Sequence, residues 1–318
     1  MKIIVTGSSG FIGSALADRL EREGHDVYGL TRYMASDSRY DYYQLKRKLI
    51  CDVRAGDRVR AIVEEVKPDV VFHLAAITPV SYSFLSPETA REVVEVNFIG
   101  TMNIAEACMK YKVPHLVHAS TSEFYGEQKD FPIQEDATPH PLSPYAVAKL
   151  AAEEYIRYLA RTEGLPYTII RPYNTYGRAF VRKPYFVVER AITQALLERH
   201  IHLYTPNPIR DLLDRDSHVD AYVRCLGNER AKGEDFNIGL GKGYTIGEMA
   251  EIVAREVEKV TGKHIPISWD MAPDRPYDIA CLICSNEKAR RILNWRPLCT
   301  LEEGIAKAVR EWKGVLGV

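Results

Sequence analysis

A short apolar run ending in closely spaced glycines constrains this chain more than any other feature. Lys2–Thr6 (KIIVT) shows no polar alternation, the pattern of a strand buried on both faces. Gly7-Ser8-Ser9-Gly10-Phe11-Ile12-Gly13 follows at once, and Phe11–Glu23 carries apolar residues at helical spacing. Strand, glycine turn and helix together make a phosphate-binding arrangement. Gly7 permits the tight turn, Gly10 lets backbone approach a pyrophosphate, and Gly13 lets helix and strand pack closely. The first helical turn, at Phe11 and Ile12, holds the phosphates. The motif predicts a bound dinucleotide.

The first half keeps this rhythm. β-rich runs at Val27–Leu30, Lys48–Cys51, Asp69–Leu74, His115–Ala119 and Tyr167–Arg171 alternate with helical patterns at Arg58–Val66, Ala90–Lys110 and Pro144–Arg161. The predicted fold class is α/β, a doubly wound parallel (Rossmann) sheet. Beyond Arg171, prolines break the chain into short pieces, with helices still legible at Val187–Arg199, Ile246–Val260 and Leu301–Trp312. The expected organisation is a dinucleotide-binding domain over 1–172, with 210–240 returning to it. A smaller C-terminal substrate domain takes 173–209 and 241–318. The ligand cleft should lie between them, at the carboxyl ends of the strands.

Composition narrows the function classes. The 42 Lys+Arg balance 43 Asp+Glu, so no global charge draws the chain to nucleic acid or an anionic membrane. No apolar run reaches the ~20 residues that span a bilayer. The N-terminus meets Gly7 without the apolar stretch of an export signal, which predicts a cytoplasmic protein. Cys281 and Cys284 form a lone C-x-x-C without a second ligand pair, so reduced thiols and no metal are expected.

The second strand's tip reads the cofactor ribose. An acid there suits NAD, an arginine NADP. Gly29-Leu30-Thr31-Arg32 has no acid and offers Arg32, so NADP is expected in preference to NAD. Asp52, followed by Val53, is a candidate for the adenine. His73-Leu74-Ala75-Ala76 places small residues where the cofactor must pass.

Tyr145 and Lys149 lie four residues apart, on one helix face. A nearby ammonium and the cofactor's cationic ring can lower the tyrosine pKa, so that its phenolate accepts a proton. Thr121 follows the fifth predicted strand and offers a hydroxyl to the same substrate oxygen. Glu123 adds a carboxylate two residues on.

At this point the chain resembles the extended short-chain dehydrogenases/reductases, specifically the nucleotide-sugar epimerases and dehydratases. The matching pieces are TGSSGFIG (6–13), HLAA (73–76), Val80, Ser83 and Pro87, and Asn97 with Gly100-Thr101. STSEFYG (120–126), SPYAVAK (143–149), RPYNTYG (171–177), Arg210-Asp211 and Arg275-Pro276 follow in the family's order. The resemblance implies that Thr121, Tyr145 and Lys149 are catalytic. Tyr145 would take the proton of a sugar C4 hydroxyl, and Lys149 would also hold the nicotinamide ribose. Ser83, Thr121 and Asn174 would contact the substrate, and Arg210 and Arg275 its diphosphate. It also implies a homodimer, paired through the helices around 90–110 and 143–163.

Members share a 4-keto sugar and differ in the next step. A 4-epimerase returns the hydride to the turned ketone and needs no carboxylate beside Thr121. A 4,6-dehydratase must remove the C5 proton and expel the C6 hydroxyl, work suited to Glu123. Thr121-Ser122-Glu123 resembles the GDP-mannose 4,6-dehydratases, so a nucleotide-sugar 4,6-dehydratase is expected. A UDP-hexose 4-epimerase is the main alternative, and a UDP-glucuronate decarboxylase ranks lower. RPYNTYG resembles epimerases more, Arg178 stands where proline is common, and 207–220 departs from the usual pattern. A non-enzymatic dinucleotide sensor would show an eroded catalytic group, and this one is intact.

Overall fold

The computed structural model describes residues 1–32, 45–178, 186–270 and 278–318. The first half alternates as its hydrophobic pattern requires: β1 (Lys2–Thr6), α1 (Phe11–Arg22), β2 (Asp26–Thr31), β3 (Arg47–Ile50), α2 (Gly56–Val66) and β4 (Val70–His73). Then come α3 (Pro87–Val94), α4 (Gly100–Lys110), β5 (Leu116–Ala119), α5 (Pro144–Glu163), β6 (Tyr167–Pro172) and β7 (Asn174–Tyr176). The remainder is α6 (Val187–Leu197), β8 (Ile201–Leu203), β9 (Ile209–Asp214), α7 (Arg215–Val223), β10 (Glu234–Ile238), β11 (Gly243–Thr245) and α8 (Ile246–Thr261). It closes with β12 (Ile267–Trp269), β13 (Cys281–Leu282), α9 (Glu287–Leu293) and α10 (Leu301–Leu316).

Seven strands form one parallel sheet in the order β3-β2-β1-β4-β5-β6-β10. The chain runs outward from β1 to β3, then returns to lay β4 against the other side of β1. That reversal opens a crevice beyond the carboxyl ends of β1 and β4. Both faces of β1 are buried. Ile4 packs into the core beneath α2, α4 and α5, with Val59, Ile104 and Ile156. Ile3 and Val5 point the other way, to Leu16, Leu20, Tyr222 and Trp295. Such two-sided burial is why the strand reads as a continuous apolar run.

The helix expected over Ala90–Lys110 starts earlier and is interrupted. Ser86 caps it: its hydroxyl accepts from Thr89 N, and Thr89 Oγ1 accepts from Ser86 N, at 3.3 and 3.0 Å. A π-turn at Glu95–Ile99 joins α3 to α4. It carries Asn97, whose amide accepts from Ile77 N (2.8 Å) and donates to Ile77 O (3.0 Å), pinning the loop after β4.

Beyond the large sheet, β9 pairs with β7, β11 and β13, and β8 pairs with β12. These short strands lie among prolines and lack a readable period. Behind them α6, α8 and α10 bury Ile192, Met249, Val253, Ile305 and Trp312. The chain also returns to the large sheet: α7 packs on α1, and β10 extends the sheet beside β6 with Asp235 opposite Ile169.

Candidate active site

The glycine turn has the shape its sequence requires. Gly7 adopts φ +68°, and a Cβ there would lie 2.9 Å from Ala75 Cα. A Cβ on Gly13 would collide with the Gly7 carbonyl oxygen. Gly10 N donates to Gly7 O at 2.8 Å, and Phe11 and Ile12 then open α1. The turn is closed from below by Thr6, whose Oγ1 accepts from Leu74 N (3.1 Å) and Ala75 N (3.0 Å). The same hydroxyl pairs with His73 Nδ1 at 2.8 Å, and His73 Nε2 with Thr101 Oγ1 at 3.0 Å. Burial pushes His73 down to about 3, so the ring is neutral and serves as a strut. Leu74, Ala75 and Ala76 thus sit against the turn, and the cradle has room for backbone-bound phosphates and for no added methyl group. This is the fit a dinucleotide pyrophosphate needs.

The adenosine end is more heavily paired than its sequence suggests. Arg32 lies 3.6 Å from Glu92 on α3, and both are partly exposed. Asp52 accepts from Arg54 N at 2.9 Å and from its guanidinium at 2.7 Å, which holds the carboxyl below its ordinary range. Val53 is buried beneath α2 and α4.

The chemical end is built from β5, the loop after it, and α5. Ser143 caps α5 through Ala146 N (3.0 Å), and Pro144 begins it, so Tyr145 enters in the first turn. Tyr145 is buried, with Thr121 beside it acting to lower the phenol pKa. Burial pushes the phenol up to about 12, and the Glu123 charge adds to that while Thr121 opposes it. One turn on, Lys149 is 2 % exposed, and its Nζ donates to Ala119 O at 2.7 Å. Burial brings Lys149 down to about 8. The ammonium is thus tied to β5, while at the phenol burial and Glu123 outweigh Thr121. Glu123 is partly buried. Burial raises its carboxyl, Arg210 draws it down and Asp278 pushes it up. Thr121 Oγ1 accepts from Glu123 N at 3.2 Å, so the two residues share one turn.

The remaining expected residues divide. Arg210 lies on β9, held by Asp278 at 2.8 Å and by its own Ile209 carbonyl at 3.0 Å. Asn174 opens β7, and its buried Oδ1 has no partner among the described residues. Ser83 is buried, but its hydroxyl donates to Val80 O at 2.7 Å and closes its own turn. Arg275 lies outside the described residues. Cys281 and Cys284 are free thiols, and the Cys284 N–H donates to Asp211 at 3.3 Å in a strand-like segment.

Four charged residues behind Lys149 escaped the sequence reading. Glu153 accepts from Arg171 Nε (3.1 Å) and Nη2 (2.8 Å) and from Arg157 Nη2 (2.7 Å). Asp235 accepts from the same two arginines at 2.9 and 2.5 Å. Arg171 also donates to Tyr125 Oη (2.8 Å) and Glu135 O (2.7 Å). An arginine inside the apolar strand TIIRP was the available signal, since a buried guanidinium demands carboxylates.

A doubly wound sheet whose carboxyl edge bears a glycine cradle and a Thr–Tyr–Lys group defines the short-chain dehydrogenase/reductase class. Residues 4–308 match the family described as GDP-mannose 4,6 dehydratase. The UDP-glucose 4-epimerase of Mycolicibacterium smegmatis is 33% identical, over 97% of both chains. The dTDP-glucose 4,6-dehydratase of Neisseria meningitidis is 31% identical, over 97% of this chain and 92% of its own. The crystal structure of a Thermotoga maritima UDP-glucose 4-epimerase with UDP-glucose superposes with TM-score 0.88 at 30% identity, covering 99% and 100% of the chains. That of a Thermus thermophilus UDP-glucose 4-epimerase with NAD gives 0.86 at 30%, covering 99% of each. The chain belongs to the nucleotide-sugar epimerase/dehydratase family of extended short-chain dehydrogenases/reductases.

Proposed function

We propose that this protein is a cytoplasmic nucleotide-sugar 4,6-dehydratase with a tightly bound NAD(P). The observation that carries the reading is a carboxylate, Glu123, on the turn that also presents Thr121 to Tyr145. Gly7, Gly10, Phe11, Ile12, Gly13, Leu74, Ala75 and Ala76 would hold the cofactor's phosphates and its path. Asp52 and Val53 would meet the adenine. Arg32 would face the ribose side, where its guanidinium could meet an NADP 2′-phosphate. When bound, the nicotinamide would accept the hydride from the sugar C4 and, once the C6 hydroxyl has left as water, return it to C6.

Thr121 and Tyr145 would grip the sugar C4 hydroxyl, and Tyr145 would take its proton. Glu123 would then remove the C5 proton of the 4-keto sugar and return a proton to the departing C6 hydroxyl. Burial raises that carboxyl toward the range where one group can serve as base and then acid. Asn174, Arg210 and Arg275 would hold the diphosphate and sugar, with Ser83 shaping the same wall. The dinucleotide domain would comprise 1–172 with 210–240, and the substrate domain 173–209 with 241–318. A homodimer would cover Phe84, Leu85, Ile99, Val147 and Tyr158, which are exposed on and beside α3 to α5.

The test is incubation with GDP-mannose, UDP-glucose and TDP-glucose. A 4-keto-6-deoxy product, seen by its absorbance in alkali, is expected and should vanish in Glu123→Gln. A C4 epimer formed without keto sugar would replace this reading with a 4-epimerase. The epimerase names of the M. smegmatis and T. maritima relatives favour that second reading.

A further inference from the structure

We infer that Glu153 is a positioning residue for Lys149, the buried carboxylate that keeps its ammonium charged beneath the cofactor cradle. The inference rests on Tyr145 and Lys149 being the catalytic pair. Tyr145, Lys149 and Glu153 recur every four residues and so share one stripe of α5. Lys149 is nearly sealed from water, and the single hydrogen bond it makes among the described residues goes to a neutral carbonyl, Ala119 O. A buried ammonium with that partner alone would shed its proton.

The groups facing Lys149 leave one anion to oppose this. From β4 and β5, His73 and His118 face it, and burial keeps both rings neutral. From α5 itself come Tyr145, whose phenol is pushed up, and Glu153. Glu153 is the charge that favours protonated Lys149. It is fully buried and stays ionised because Arg171 from β6 and Arg157 from α5 hold both its oxygens. Asp235 from β10 balances the second arginine, so the four-residue network is neutral as a whole. Of the four, Glu153 is the charge that acts on Lys149, one helical turn away on α5.

A structural clamp alone would leave the titration of Lys149 unmoved. The test therefore follows the ε-carbon NMR signal of Lys149 against pH in the full-length protein, assigned by its loss in Lys149→Arg. The parent midpoint should lie at about 8. In Glu153→Gln it should fall by about one pH unit or more, a tenfold loss of proton affinity. Glu153→Asp, which keeps the charge, should restore most of it. Should Glu153→Gln fail to fold with two arginines under-compensated, Glu153→Gln/Arg157→Gln removes one charge of each sign and should show the same fall. A folded single or double variant with an unchanged Lys149 midpoint overturns the inference. No sugar is present in this measurement, so failure of the dehydratase reading leaves its outcome intact.

Discussion

Glu189 allows the fold's electrostatics to be measured away from the chemistry. Its carboxyl is wholly buried on α6. One oxygen accepts from Gly177 N at 3.0 Å, and the other has no partner among the described residues. Burial pushes it up from 4.5 to about 7, opposed by two backbone hydrogen bonds. Between those values the folded chain keeps a proton that the unfolded chain has released. The associated stability is complete below about 4.5 and is lost as pH rises through about 7. At about 1.4 kcal/mol per pH unit, the loss comes to about 3 kcal/mol. Glu189→Gln keeps the shape and an oxygen for Gly177 but cannot ionise. The parent and variant should be nearly equal near pH 4.5, and the variant should be about 3 kcal/mol the more stable by about pH 8. Urea unfolding at a series of pH values, read by tryptophan fluorescence, gives both curves. Parallel curves, or a variant that is weaker at about pH 8, would refute the reasoning. Either would mean that the fold holds the carboxylate ionised at no cost.

Three further outcomes are expected. Gly13→Ala puts a methyl group into the Gly7 carbonyl, so it should cost about 1–3 kcal/mol and weaken NAD binding at least about tenfold; thermal melting and a fluorescence titration check both. Tyr145→Phe removes a hydroxyl and little volume, so sugar turnover should fall roughly 10²–10⁴-fold while cofactor affinity changes little; separate turnover and cofactor-binding assays distinguish the two. Arg171→Met leaves Glu153 and Asp235 with Arg157 as their remaining cation, and a broken buried network of this kind costs about 3–5 kcal/mol in denaturant unfolding.

Much of the large sheet is legible residue by residue. β1 and the glycine turn fall where their pattern puts them, because a strand buried on both faces has no other way to read. The ends of α1, α5 and α8 agree with the sequence to within two or three residues, as strong caps at Ser143 and Thr245 and left-handed glycines at 164 and 262 require. β7, β9, β11 and β13 were not legible. They are two to six residues long, and their partners are distant in sequence: β9 joins residues near 175, 244 and 281. The π-turn was equally hidden, since it arises from Asn97 gripping Ile77 and not from local propensity.

The candidate site divides in the same way. Thr121, Glu123, Tyr145 and Lys149 stand out as candidates through the family resemblance and by residue type, and helix geometry fixes the Tyr145–Lys149 interval. Their protonation is another matter. Tyr145 is raised and Lys149 lowered because the assembled fold removes both from water. Ser83 shows the same limit: a hydroxyl suited to substrate is spent on Val80 O by the turn it sits in. Sequence alone determined the glycine cradle, the candidate quartet Thr121, Glu123, Tyr145 and Lys149, and the succession of the first strands along the chain. Tertiary structure decided which charges face one another. Glu153, Arg157, Arg171 and Asp235 span 82 positions of sequence and meet only when β10 completes the sheet beside β6. Coulomb energy depends on distance in space and on exclusion of water, and neither quantity is present in a string of residues.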